Sequence, residues 1–223
     1  MSAHASPAGA RSLDREWWLR TLAVLQAPRA VFSAFRHDSD EEAEARQEPV
    51  LALVALAGVA AILAWSPTTG TLMNNPNVDG VVVAVLTFLA GVMYGAATYW
   101  LGGAALYVGA RGAGGRGSYR RARHVLAFSA APLVLSLVLL WPLRLALYGA
   151  AAFRTGGADE HGAGHWAFTA ADLTFVGWSL ALLLVGLSVV QRWSLVRAAG
   201  ALVIAAFALL AFTFPFVIPL ASR

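Results

Sequence analysis

The chain has no cysteine and no lysine, and only 13% of its residues are charged. Without cysteine there can be no disulfide, no thiolate nucleophile and no thiolate metal site. Soluble domains carry about 25% charged residues. A 223-residue chain that is 59% hydrophobic lacks the polar surface to cover a water-soluble globule. All sixteen basic residues are arginine, which with the abundance of Ala, Gly and Val points to a GC-rich, bacterial genome. Nearly fifty polar or amphipathic residues precede the first apolar run, longer than the n-region of a secretory signal, so that run is expected to stay in the mature protein.

What is present is a set of five long runs almost free of ionisable side chains: Pro49 to Trp65, Val81 to Val108, Val125 to Leu143, Leu173 to Val190 and Ala198 to Ala221. A helix of about 20 apolar residues, with about 17 the lower limit, crosses a hydrocarbon core of about 30 Å, so each run can span. Arginine sets the orientation. Six arginines precede the first run, none lies between the first and second, five lie between the second and third, and two (Arg192, Arg197) between the fourth and fifth. Arg144, Arg154 and Arg223 fall on the other side. Thirteen against three places the N-terminus in the cytoplasm and the C-terminus outside. Trp65, Trp100, Tyr107, Trp141, Trp178 and Trp193 suit interfacial anchoring.

The N-terminal tail, residues 1–48 ahead of the membrane domain 49–223, carries its own pattern. Ser12 can cap a helix, and Trp17, Trp18, Leu22 and Leu25 gather on one face. After Pro28, Val31, Phe32 and Phe35 form a second apolar stripe, flanked by Arg15, Arg20, Arg29 and Arg36. An interfacial amphipathic helix against anionic headgroups fits, and packing of the same face on the helix bundle fits equally, since periodicity cannot distinguish two apolar partners. The acidic run from Asp38 to Glu48 reads as a solvated linker at a helix start, or as a docking strip for the basic second loop or a partner.

That second loop, GARGAGGRGSYRRARHV from Gly109 to Val125, is the most distinctive stretch. Its glycines outline a phosphate-binding loop without the lysine such a loop needs, and it follows an apolar helix rather than a strand. Ser118 is placed to cap the third span, leaving Arg116, Arg120, Arg121 and Arg123 for lipid phosphates, a partner or plain topogenic charge.

The stretch GGRGSYRRARHVLAFSAAP, Gly114 to Pro132, resembles the signature of prokaryotic members of the Yip (Ypt/Rab-interacting protein) membrane family. LAVLQAPRAVFSAF, Leu22 to Phe35, is similar to that family's N-terminal amphipathic segment. GLSVVQRWSLVRA, Gly186 to Ala198, is similar to its penultimate-helix end and basic turn. The resemblance covers nearly the whole chain from Trp17. It stands beside the five spans, N-in and C-out, read from the apolar runs and arginines, and for eukaryotic relatives it implies binding of Rab-type GTPases in vesicle trafficking. The chain departs from the eukaryotic Asp-Leu-x-Gly-Pro element, whose place is taken by the acidic run and Glu48-Pro49. A general scaffolding or partner-binding role is therefore expected rather than GTPase binding.

No run interior holds an ionisable residue; Asp79, Asp172 and Arg144 fall at the outer edge and His124 at the inner, which argues against ion-coupled transport. Gly91 and Gly95 form a GxxxG pair, with Gly102 and Gly103 beyond, suited to close helix packing within the chain or in a dimer. Pro132 is expected to kink the third helix, and Pro215 and Pro219 to bend or end the fifth. The outer segment Arg154 to Asp172 reads as a glycine-rich loop. Its His161 and His165 are weak candidates for a metal, since Glu160 precedes both and no HExxH is formed. No catalytic arrangement stands out.

The sequence thus describes an all-α polytopic membrane protein, multi-pass in a bacterial inner membrane and non-enzymatic. A small permease or channel subunit is the alternative, and a metal-dependent membrane enzyme a third reading. Expected partners are the lipid bilayer with its anionic headgroups and an unidentified membrane or cytoplasmic protein, with homo-oligomerisation open. Neither a cofactor nor nucleic acid is expected.

Overall fold

The computed structural model describes residues 21–35, 47–65, 67–156 and 160–221. Trp17, Trp18, Arg20 and the acidic run from Asp38 to Glu44 lie outside the described residues. Every regular element among those described is helical. In chain order they are α1 (Pro28–Ala34), α2 (Gln47–Trp65), α3 (Pro67–Met73), α4 (Gly80–Ala97), α5 (Gly103–Gly112), α6 (Tyr119–Ser129), α7 (Ala131–Tyr148), α8 (Gly162–Gln191) and α9 (Leu195–Ala221). A π turn, Thr98–Gly102, joins α4 to α5 without a break, and a 3-10 turn, Gly149–Phe153, follows α7. Among the described residues, four stretches are long and apolar enough to cross a membrane: Gly80–Gly112, Tyr119–Phe153, Gly162–Gln191 and Leu195–Thr213. A shorter apolar helix, Val50–Ala64, accompanies them. Their outer faces expose Leu86, Phe88, Met93, Leu139, Leu180 and Phe207, a band only lipid would solvate without cost.

Small residues hold the bundle together. Gly58 of α2 faces Gly91 and Gly95 of α4 so closely that a Cβ on Gly58 would stand 2.6 Å from the Gly95 Cα. A Cβ on Gly91 would stand 2.5 Å from the Val59 Cα, and one on Gly95 would run into the Val54 carbonyl. The GxxxG pair therefore serves a contact within the chain, where helices gain dispersion contacts that lipid tails would not supply. Gly109 of α5 makes the matching approach to α9, with Ala205 Cβ 2.8 Å from where its own Cβ would be and the Ala201 carbonyl nearer still.

The expected third span is broken rather than merely bent. Ala130 adopts φ −81°, ψ −3° between α6 and α7, and buried Pro132 starts the second piece without an N–H to donate. Leu133 N–H turns to the Ala130 carbonyl at 3.0 Å, leaving the Ser129 carbonyl open. Ser179 of α8 donates its hydroxyl to that oxygen at 2.7 Å, as a backbone group in an apolar bundle requires. Pro142 sits inside α7 and was not singled out by the pattern.

Three expectations change. Residues 154–172 are not one loop: after left-handed turns at Gly156 (φ 73°) and Gly162 (φ 76°), α8 begins at Gly162 and includes His165. Asp172 lies three turns into α8, and its carboxylate accepts from Arg144 Nη2 of α7 at 3.2 Å, with both side chains largely buried; the Arg144 guanidinium also lies 4.8 Å from the Phe168 ring centre. The two edge charges are thus a paired group between helices. Finally, the stripe after Pro28 meets protein. Val24, Val31, Phe32 and Phe35 are buried in one core with Val50, Tyr99, Val125, Phe128 and Leu182, and Phe35 lies 5.0 Å from the Phe128 ring. Of its two possible apolar partners, α1 takes the bundle rather than the lipid surface; Leu22 remains exposed.

Gly95→Leu is predicted to destabilise the protein by about 1–3 kcal/mol or more through overpacking. Gly177→Ala, at a site with nothing within 4 Å, should leave stability unchanged or raise it slightly. Thermal unfolding of the two variants in one detergent checks the contrast.

Candidate functional site: an arginine cage at the meeting of three segments

One end of the bundle gathers the arginines. The loop 113–118 is shaped by Gly114, whose φ of 83° only glycine adopts freely, and by the Gly115 N–H, which donates to the Ala110 carbonyl at 2.8 Å. Ser118 then caps α6 as its position predicts, its Oγ accepting from Arg121 N–H at 3.3 Å. The loop is tied to the turn between α8 and α9. Arg197 donates Nε and Nη2 to the Ala113 carbonyl at 3.0 and 2.7 Å and stacks 4.6 Å from the Trp193 ring centre. The Gln191 Oε1 accepts from Arg116 N–H at 3.4 Å. Arg192 makes that turn with a left-handed φ of 56°.

On this scaffold the predicted contact residues divide. Arg29 and Arg116 are exposed, and Arg120 and Arg121 half-buried. Arg123 is placed otherwise than its charge suggested: only 7% of its surface is accessible. Its guanidinium carbon lies 4.0 Å from the Trp100 ring centre, 4.6 Å from Tyr119 and 5.0 Å from Tyr99. Three aromatic faces around one cation each contribute about 0.5–2 kcal/mol. The cage exists because the π turn shifts the helical phase by one residue, turning Tyr99 fully inward while Trp100 stays at the rim. Tyr119 is fixed by donating its hydroxyl to the Trp100 carbonyl at 2.7 Å. Gly103 makes room, since a Cβ there would strike the Arg123 stem. Arg123 Nε and Nη1 and the Tyr99 Oη are buried and make no hydrogen bond.

Tyr99, Trp100 and Tyr119 did not stand out as site residues. The available signal was a Tyr-Trp pair two residues before Gly102-Gly103, together with the Ser-Tyr ahead of the arginines. At the opposite end, His161 precedes α8 and His165 lies 5.5 Å from the Trp166 ring. Among the described residues no group of three His, Asp or Glu side chains comes together.

The three stretches that carry the family resemblance meet at one point. A Cβ on Gly186 of α8 would stand 2.9 Å from both the Phe32 Cζ of α1 and the Val125 Cγ1 of α6. A family model, the Yip1 domain, matches residues 22–217. No curated protein and no solved structure matches the chain.

Arg123→Lys is predicted to lower stability by about 1–2 kcal/mol, because an ammonium cannot stack as a planar guanidinium does. Arg116→Lys, at an exposed position, should stay within about 0.5 kcal/mol of the parent. Chemical or thermal unfolding of both variants separates a caged cation from a surface one.

Proposed function

The chain belongs to the Yip1 domain family, and from that premise we propose a five-pass membrane protein that works as a non-enzymatic scaffold. Its N-terminus and arginine-rich loops face the cytoplasm and its C-terminus lies outside, in a bacterial inner membrane. It acts by presenting that end to anionic headgroups and to a membrane or cytoplasmic protein partner.

The observation that carries this reading is the seat of Phe32 between Gly186 and Val125. It joins the N-terminal segment, the arginine-bearing helix and the end of α8 into one rigid end. Rigid elements display charge at fixed spacing, which suits recognition more than conduction. The exposed and half-buried arginines, Arg29, Arg116, Arg120 and Arg121, are the presented set, whereas Arg123 is internal. A permease for polar solutes would need a polar path between helices. Glycine contacts close the seams between α2 and α4 and between α5 and α9 against such a path.

The topology is tested by Ser118→Cys, the sole thiol in the resulting chain. An impermeant thiol reagent should leave it unlabelled in intact cells and label it after permeabilisation; labelling of intact cells would reverse the orientation. The scaffold role is tested by proximity labelling from the N-terminal tail in cells. The parent should mark a defined set of neighbours that Arg116→Ala/Arg120→Ala/Arg121→Ala loses at equal protein level. An unchanged set would remove those arginines from the function.

A further inference from the structure

A cavity of ≈ 180 Å³ lies inside the bundle next to the arginine cage. It arises where small residues on α2 (Ala57, Gly58, Ala61) face Gly95 and the break of the third span at Ala130. Water is a poor occupant, because each water needs about 2–4 polar partners and the walls are almost all carbon. Two of the hydroxyls present are already committed, Ser179 to the Ser129 carbonyl and Ser129 to the Val125 carbonyl, each at 2.7 Å. Apolar cavities of about 150 Å³ stay dry and take apolar guests.

The cavity is not closed on all sides. Its wall includes Tyr94, which is 51% exposed, and exposed Thr98. Met93, Trp100 and Leu101 are exposed beside them. The mouth thus opens near the middle of the 33-residue stretch Gly80–Gly112, into the apolar band that lipid tails cover. Tyr99, whose buried hydroxyl is unpaired, also lines the cavity, and 5.0 Å from its ring lies the buried Arg123, with Nε and Nη1 unpaired. A buried cation lacking a hydrogen-bonded anion is costly. From the cage into the bundle the order is therefore guanidinium, phenol, apolar hole.

We propose that this is a binding site for one membrane glycerophospholipid. One acyl chain enters the cavity from the side, an ester carbonyl accepts from Tyr99 Oη, and the phosphate pairs with Arg123. The order of polar groups in the protein matches the order phosphate, ester, chain in such a lipid. The site rests on the chain's spanning the bilayer, and not on the surface arginines having a partner. Loss of the lipid with an unchanged set of labelled neighbours would separate the two.

The test uses the full chain reconstituted in phosphatidylglycerol vesicles doped with phosphatidylglycerol that carries a photoactivatable diazirine in mid-chain. Cross-linked peptides are then mapped by mass spectrometry. Cross-links are expected to concentrate on residues 94–99 and 126–133. They should be competed by unlabelled phosphatidylglycerol and not by inorganic phosphate. Ala130→Phe, which fills the hole, should abolish the concentrated labelling. Arg123→Met should weaken it about tenfold, the loss of a charge-assisted hydrogen bond. Tyr99→Phe, which removes one oxygen and keeps the ring under Arg123, should weaken it about threefold and decides the matter if Arg123→Met fails to fold. Labelling spread over the outer helix faces, labelling indifferent to Ala130→Phe or to Tyr99→Phe, or competition by inorganic phosphate would each overturn the proposal.

Discussion

A phenyl ring lodged against a glycine organises this molecule. Phe32 fills the space that a side chain at position 186 would occupy and touches the same point as Val125. Because Phe32 is fully buried, α1 is part of the core and not an appendage on lipid. Its burial removes an apolar stripe from the surface, worth about 1.5–3 kcal/mol for one large side chain. It also sets the spacing between α6 and α8. With that spacing fixed, Ser179 reaches the open carbonyl at Ser129, so the break in the third span is tolerated. The break in turn makes the cavity beside Tyr99.

Glycine has a second use along the helices. Gly58, Gly91 and Gly95 bring α2 onto α4, and Gly109 brings α5 onto α9, in each case at distances that forbid a Cβ. In a bilayer, where lipid tails compete equally for apolar side chains, such close backbone approach is a main source of helix association. Charge is handled by pairing it at the flanks of this apolar middle. Arg144 meets Asp172 near one end, and Arg123 is enclosed by three aromatic rings near the other. Arg111, Arg116, Arg192 and Arg197 are exposed at the Arg123 end, and Arg154 is exposed at the other.

The helical runs were legible because hydropathy over about 20 residues is a strong signal. Ser118 as a cap, Pro132 as an interruption and the Gly91/Gly95 pair were legible because each rests on one local steric or hydrogen-bond rule. Other features lay beyond local rules. Whether the Val31, Phe32 and Phe35 stripe meets lipid or protein depends on Gly186, more than 150 residues away. Arg123 reads like its neighbours Arg120 and Arg121 until the π turn at Thr98–Gly102 brings Tyr99 and Trp100 to it, and nothing in the helical pattern of α4 announces an extra residue per turn. The early start of α8 at Gly162 escaped because glycines at 156, 157, 162 and 164 suggested an open loop, whereas two of them shape the turn that admits the helix.

With α1 packed into the bundle, the arginine-rich end is built from the N-terminal segment, α6 and the end of α8 together. The most direct check is a double-mutant cycle on unfolding between Phe32→Ala and Val125→Ala in the full chain. Side chains in contact couple by about 0.5–3 kcal/mol, and the account predicts a coupling in that range. Strict additivity of the two changes would show that the N-terminal helix lies elsewhere, and the account would be wrong at its centre.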